Sequence, residues 1–201
     1  MNILFSIISP TWLIAYCQKK GKTQNEIRKG IVLRNYSYLI ISFVSLLAIS
    51  YLDTEKIYSN CLGILLSCAY VYMLPLSRSN EIFISFIQDA IDKTSNKKDR
   101  STLTYSDRIA LSLRSYVELI FNYAAMYLIM PKQYFGSGQV RDVIDAIYFS
   151  GVTITTLGYG DISPKEWAPK LLVVHEVLCG FTLLIVSFAI YVGKSGEKRS
   201  S

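Results

Sequence analysis

The amino-acid sequence predicts an all-α membrane protein, and three observations carry that prediction. Apolar residues fill 51% of the 201 positions and arrive in long runs rather than in alternation. Lys and Arg gather in the segments between alternate runs. Near the C-terminal end, an apolar stretch of thirteen residues, too short to cross a bilayer, leads into a glycine-rich loop, as a re-entrant element would. The formal charge of +6 fits a topology signal better than a nucleic-acid partner. No helix-turn-helix pattern, zinc-finger spacing or RNA-binding aromatic motif accompanies it. The four cysteines form no CxxC and lie in or beside apolar stretches, so they read as buried thiols.

In chain order, residues 1–35 hold a short apolar stretch at 3–17, interrupted by Pro10, and then a basic segment. The first reads as an interfacial or partly inserted helix, with a short additional span as the alternative, and the second as cytoplasmic. Residues 36–77 supply two spans, 36–52 and 60–76, joined by a short polar turn and therefore expected to be antiparallel neighbours at the periphery. Residues 78–108 place Ile82, Phe83, Phe86, Ile87 and Ile91 on one stripe, predicting an amphipathic helix on the inner membrane surface or against a neighbouring subunit, then a polar linker. Residues 109–193 hold a third span at 109–130, the short helix at 142–154, the loop, and a last span from 167. A tail, 194–201, is expected to be cytoplasmic. Placing residues 18–35, 78–114 and the tail inside collects 16 of the 21 Lys and Arg there, and leaves the glycine loop opening outward. The expectation is an integral membrane protein of a plasma or bacterial inner membrane.

The loop reads Thr155-Thr156-Leu157-Gly158-Tyr159-Gly160-Asp161. With the short helix before it and a span on each side, residues 109–193 resemble the pore domain of the tetrameric potassium channels. That resemblance implies the potassium-channel pore fold: outer helix, re-entrant pore helix and filter, inner helix, with the N-terminal helical pair outside it. It implies that the carbonyls of Thr156, Leu157, Gly158 and Tyr159 coordinate K⁺, with the Thr156 hydroxyl closing the inner end. Gly158 and Gly160 suit this because glycine accepts positive φ and lets successive carbonyls face one axis. One filter per chain implies a homotetramer, K⁺ as the permeant ion, and no cofactor.

Other positions follow from the same match. Tyr148 and Phe149 fall on the aromatic pair that wedges against a neighbour's filter, with plain apolar packing as the alternative. Val152 stands where some members carry a glutamate that pairs with the filter aspartate, so Asp161 is expected to use Tyr148, backbone amides or water instead. Leu157 stands where valine or isoleucine is commoner, removing a β-branched restraint. Gly180 falls on the family's hinge position, and close helix packing accounts for it equally well. Ionisable groups inside spans single out Glu176, His175 and Glu118. Glu176 is expected to support the back of the filter or to pair with His175, the alternative being a water-filled outer crevice. Glu118 is expected to pair with Arg114 one turn earlier.

No early span carries Arg or Lys at every third position, and no dinucleotide fingerprint, EF-hand loop or cyclic-nucleotide domain occurs. Gating is therefore open to membrane lipids, tension, pH or an unidentified accessory protein. No nucleophile with its base and no phosphate loop suggests an enzyme. The reading is a K⁺-selective channel. The alternative is a channel-like membrane scaffold or signalling subunit that conducts little.

Overall fold

The computed structural model describes residues 9–19, 21–94, 102–136 and 138–197. The start of the N-terminal apolar stretch, most of the polar linker after residue 94 and the end of the C-terminal tail lie outside the described residues.

Thr23 opens the first long helix. It forms a capping box with Glu26: the Thr23 hydroxyl accepts from the Glu26 amide while the Glu26 carboxylate accepts from the Thr23 amide. The helix, α2 (Gln24–Ser50), therefore starts three turns before residue 36, where the apolar run alone puts it, and takes in much of the basic segment. Before it lies α1 (Pro10–Lys19). After it come a short α3 (Thr54–Tyr58) capped by Asp53 and then α4 (Cys61–Val71).

Pro75 does not end the second span. A π-helical turn, Tyr72–Leu76, absorbs the missing proline N–H, and the chain continues straight into α5 (Ser77–Thr94). Residues 61–92 form one long apolar helix able to cross a membrane. Of the amphipathic stripe expected to lie on the inner surface or against a neighbouring subunit, Ile82, Phe83 and Phe86 pack within this chain, while Ile91 is exposed. Ile82 is buried, and the Phe83 ring sits 6.4 Å from that of His175 on the last helix. The residue after the π turn also receives the start of α1: Ser9 donates to the Ser77 carbonyl at 2.8 Å, and the Thr11 amide donates to the Ser77 hydroxyl at 3.0 Å. Ser9 and Thr11 are buried there against the chain's own residues.

A second capping box, Thr104 with Asp107, starts α6 (Tyr105–Ile129). Helix α7 (Val143–Ile154) begins at its cap Asp142, and α8 (Trp167–Glu197) closes the described chain. Helix α8 runs through Lys194 without a break, so the expected tail begins inside it.

Helix α6 is the hub. Leu119 and the run Tyr123–Ile129 are buried along it, and it touches α2, α5, α7 and α8. Three described helices are long and apolar enough to cross a membrane: 24–50, 61–92 and 167–186. At 25 residues α6 is long enough as well, but it carries too much polarity to count by composition. The reason is its position: an interior helix can hold polar groups where neighbouring helices pair them.

The first two spans are not each other's main partners. Helix α2 lies parallel to α6, and their polar contacts keep a nearly constant offset in sequence. Arg28 holds Asp107 at 2.9 Å, Asn35 Nδ2 donates to Ser115 at 3.0 Å, and the Ser42 hydroxyl donates to Asn122 at 2.7 Å. Residues 28, 35 and 42 are seven apart, a coiled-coil-like seam written in polar side chains. Helix α4 reaches α2 through Tyr70, whose hydroxyl donates to Ser45 at 3.0 Å. At the basic end of the seam, the hydrogen bond from Arg28, with those from Thr104, holds the Asp107 carboxyl down at about 2. Of the cysteines only Cys179 is buried; Cys17, Cys61 and Cys68 are exposed, which corrects the expectation of four buried thiols.

Candidate functional site

The C-terminal end of α7 shapes the 155–161 loop. Three successive loop amides donate back to the helix: Thr156 to the Thr153 carbonyl at 2.9 Å, and Leu157 and Gly158 to the Val152 carbonyl at 3.0 and 3.1 Å. The Thr155 hydroxyl donates to the Gly151 carbonyl at 2.7 Å, so it caps the helix rather than facing outward. In a trans peptide the N–H and the preceding C=O point in opposite directions. Tying these amides to the helix therefore turns the carbonyls of Thr155, Thr156 and Leu157 away from it, where the unpaired carbonyl end of α7 adds its own negative potential.

Backbone φ then alternates in sign. Thr156, Gly158 and Gly160 have φ of +59°, +49° and +81°, while Leu157 and Tyr159 between them stay negative. Such alternation aligns successive carbonyls on one side and amides on the other. Glycine adopts positive φ freely, but a β-branched threonine in that region is an outlier, of the kind concentrated at ligand clamps. The expectation for Gly158 and Gly160 thus extends to a residue that composition gave no reason to suspect. Every residue from 155 to 160 is exposed in the single chain, Tyr159 at 67%.

The outer end of the loop is braced. The Tyr148 hydroxyl donates to Asp161 at 2.8 Å, and its ring lies parallel to that of Tyr159 at 6.5 Å. Asp161 has thus found one of its expected partners. Strand-like pairing stitches the segment before α7 to the segment after the loop: the Gly136 amide donates to the Ser163 carbonyl and the Lys165 amide to that of Tyr134, each at 2.8 Å. Gly138, with φ of +76°, passes so close that a Cβ there would stand 2.2 Å from the Asp161 carbonyl oxygen. Gly138 is not singled out by the sequence, because the Asp161 carbonyl it approaches is distant along the chain.

The aromatic pair divides. Tyr148 serves the loop, whereas Phe149 is buried and turns back onto its own chain. It meets Tyr127 edge-on at 4.8 Å and Phe135 at 5.7 Å. Here apolar packing describes Phe149 and the wedge does not. Val152 contributes its carbonyl, as above.

The ionisable groups pair differently from expectation. Glu176 is fully buried and accepts from Tyr127 at 2.7 Å and from Ser150 at 2.5 Å, which removes the water-filled crevice and the His175 pairing together. His175 instead meets the Tyr123 hydroxyl through Nδ1. Glu118 does not pair with Arg114. It takes a two-pronged contact from Arg78, at 2.6 and 3.2 Å, forty residues away on α5. Arg78 also pairs with Glu81 at 2.9 Å, and Glu81 with Arg34 at 3.1 Å, giving a buried quartet of balanced charge. Arg114 turns to Asn35 at 2.9 Å and stacks over Tyr36. An isolated i, i+4 pair gains a few tenths of a kcal/mol, whereas a bidentate Arg–carboxylate fork in the interior satisfies both charges, so the distant partner wins.

Gly180 lies on the unbroken part of α8 where the helix meets the end of α7. A Cβ added there would stand 2.5 Å from Ile154 Cγ1, so close packing is its role in this conformation. Among the described residues no group of three His, Cys, Asp or Glu is placed to hold a metal ion.

The sequence pattern of the ion channel family matches residues 115–194. A hyperpolarization-activated voltage-gated potassium channel of Methanocaldococcus jannaschii is 46% identical over 48 residues, 24% of this chain and 23% of that protein. Two-pore potassium channel 2 of Arabidopsis thaliana is 32% identical over 108 residues, 51% of this chain and 24% of that protein. Human potassium channel subfamily T member 1 is 36% identical over 65 residues, 32% of this chain and 5% of that protein. The matches thus span a quarter or less of each relative's length. No solved structure matches the chain significantly. This chain is an integral membrane protein whose described residues are all-helical, and its residues 115–194 are similar to ion channels.

Proposed function

We propose that four copies of this chain assemble a K⁺-selective pore through which the ion passes down its electrochemical gradient. The observation that carries this reading is the alternating backbone at Thr156, Gly158 and Gly160, with amides tied to α7 and carbonyls turned away. Four such loops around an axis would surround a dehydrated K⁺ with carbonyl oxygens from Thr156 to Tyr159, binding it firmly enough to enter and weakly enough to leave. The tetramer is supported by what the single chain leaves uncovered. The 155–160 loop is exposed, and so is an apolar stripe of α8: Leu171, Val174, Leu178, Phe181 and Ile185. Spaced by three and four, these residues form one helix face, which neighbouring copies would cover.

In this assembly the loop opens outward and α8 ends in the cytoplasm, following the distribution of Lys and Arg. Helices α2 and α4–α5 lie outside the ring of α7 and α8. The test is K⁺ flux into liposomes holding the reconstituted protein, driven by a K⁺ gradient. Wild type is expected to conduct, to discriminate against Na⁺, and to lose conduction when Gly158 becomes Ala, since that φ of +49° is strained for any side chain. Assembled wild-type tetramers without flux under varied lipid, pH and tension would overturn the reading.

A further inference from the structure

The polar seam between α2 and α6 ends in an amide that is only half used. Asn122 is 3% exposed. Its Oδ1 accepts from Ser42 at 2.7 Å, while its Nδ2 has no hydrogen-bond partner among the described residues. Turning the amide over would hand Nδ2 to Ser42 and strand Oδ1 instead, so one atom is left over either way. Asn122 stands well inside α6, and Pro75 lies near the middle of the apolar helix 61–92. At that depth no bulk water reaches the amide, and its desolvation penalty stands unless something binds it.

The space beside the amide has the size of one small molecule. Where α2, the π turn and α6 meet lies a cavity with about 10 Å³ of room for a water's centre, close to the least that one water needs. Asn122 lines it together with Ser42 and Ser45 of α2, Pro75 of the π turn, and Tyr38 and Arg78 at the edge of the charge quartet. The Ser42 hydroxyl gives its proton to Asn122, and its oxygen can still accept. Arg78 spends three of its five N–H groups on Glu118 and Glu81, which leaves two. A water seated here would accept from Asn122 and Arg78 and donate to a serine oxygen. That is the set of partners a buried water requires.

The quartet decides what kind of ligand fits. Among the described residues, the other buried side-chain atoms without a hydrogen bond are Arg34 Nε and both Glu81 oxygens. They belong to the same junction, since Glu81 pairs with both Arg34 and Arg78. Unmet polar capacity is thus gathered at one place in the bundle. Two arginines and two carboxylates already balance there, so an added cation or anion would leave a net charge in the interior. A neutral hydrogen-bonding ligand adds none.

We infer that this junction is a binding site for a single buried water, held by Asn122, Arg78 and Ser42. The water forms the last rung of the seam and extends it from α2 and α6 to the π turn. At this level the second span is joined to α6 through water rather than through a direct side-chain bond. The site stands independently of whether the chain conducts.

The experiment locates water directly. X-ray pulses convert bound water into hydroxyl radicals that mark adjacent side chains, and mass spectrometry of the full chain in lipid nanodiscs reads the marks. In wild type, Tyr38 and Pro75 are expected to be marked although Pro75 is buried. Solid-state NMR is expected to show magnetisation passing from water to the Asn122 Nδ2 protons. Asn122→Leu removes the amide and fills the space, so both marks should fall severalfold while that on exposed Tyr51 stays. Ser42→Ala keeps Nδ2 and the space, and should hold both marks within about twofold of wild type, the scatter of independent sites. Exchanging K⁺ for Na⁺, or chloride for gluconate, should change nothing. An unmarked Pro75 with no water-to-Asn122 transfer in wild type would overturn the site, whichever variants fold. Marks that persist in N122L would overturn the role of the amide, and marks that follow the ions would overturn the neutral ligand.

Discussion

Removing the carboxylate of Glu118 tests the most concentrated charge in the molecule. Glu118 is fully buried, Arg78 is 8% exposed at its side chain, and the quartet they form with Glu81 and Arg34 balances two positive against two negative charges. Glu118→Met leaves one surplus positive charge inside a helix bundle. Breaking a buried pair by deleting one partner costs about 3–5 kcal/mol. Arg78→Met should cost somewhat more, because it also removes the guanidinium stacked 4.4 Å over the Tyr38 ring, a contact of about 0.5–2 kcal/mol. For a chain of this length 1 kcal/mol moves the unfolding midpoint by roughly 2–4 °C, so each single variant should lose roughly 6–20 °C. The double variant is the sharper measurement. With both replaced, Arg34 and Glu81 remain as a balanced pair at 3.1 Å, and exchanging an ion pair for apolar side chains of similar size is often neutral. R78M with E118M should therefore recover to within about 2 kcal/mol of wild type. The assay is thermal unfolding in nanodiscs, following tryptophan fluorescence and the fraction that stays assembled. Single variants within about 0.5 kcal/mol of wild type, or a double variant as poor as the sum of the singles, would refute the buried quartet.

Gly138→Ala should disorganise the outer mouth, since its Cβ would press the Asp161 carbonyl at 2.2 Å from a strained φ; the expected reading is reduced flux with the tetramer still assembled. Gly180→Ala should destabilise by about 1–3 kcal/mol through overpacking against Ile154, and Ile154→Ala in the same chain should return most of that, measured by thermal unfolding. Asp107, whose carboxyl is held at about 2 when folded, stabilises the fold wherever it is ionised. Its contribution is fully present above the unfolded value near 3.8 and is lost as pH falls through about 2. The difference in unfolding temperature between wild type and Asp107→Asn should hence be flat from pH 5 to 8 and shrink below pH 4; a difference that varies across pH 5 to 8 would contradict the assignment.

How legible these features were depends on how local their causes are. The short apolar helix 143–154, the helix on each side and the positive φ at Gly158 and Gly160 were readable because each follows from a short stretch: an apolar run of fixed length, or glycines that tolerate positive φ. The start of α2 was legible too, in Thr23-x-x-Glu26, but the loss of apolar character at the basic segment hides it from a hydropathy reading. The unbroken passage through Pro75 needed knowledge of a π turn, and the helix packs on α6 and α8 through a face that resembles a surface-lying stripe. Periodicity reports that a helix has an apolar face and is silent about which surface receives it. Charge partners were least legible. Arg114 is four residues from Glu118 and looked sufficient, whereas the actual partner is forty residues away and visible only once α5 and α6 lie side by side.

The polar side chains of α6 make one argument when taken together. Ser115 and Asn122 face α2, Glu118 faces α5, and Tyr123 and Tyr127 face α8. Each would be costly against lipid, and each finds a hydrogen-bond partner on one of three neighbouring helices, although Asn122 Nδ2 itself has none. A pore module whose outer helix meets only hydrocarbon on its far side would not need Asn122 or Glu118 at those positions. Their presence means that α2 and α5 are structural parts of the wall behind α7. The same outer helix also holds Tyr127, which fixes Glu176, and Arg78 grips it less than three turns away at Glu118. Side-chain hydrogen bonds thus run from Arg78 on α5 to Glu118 on α6, and from Tyr127 on α6 through Glu176 on α8 to Ser150 on α7.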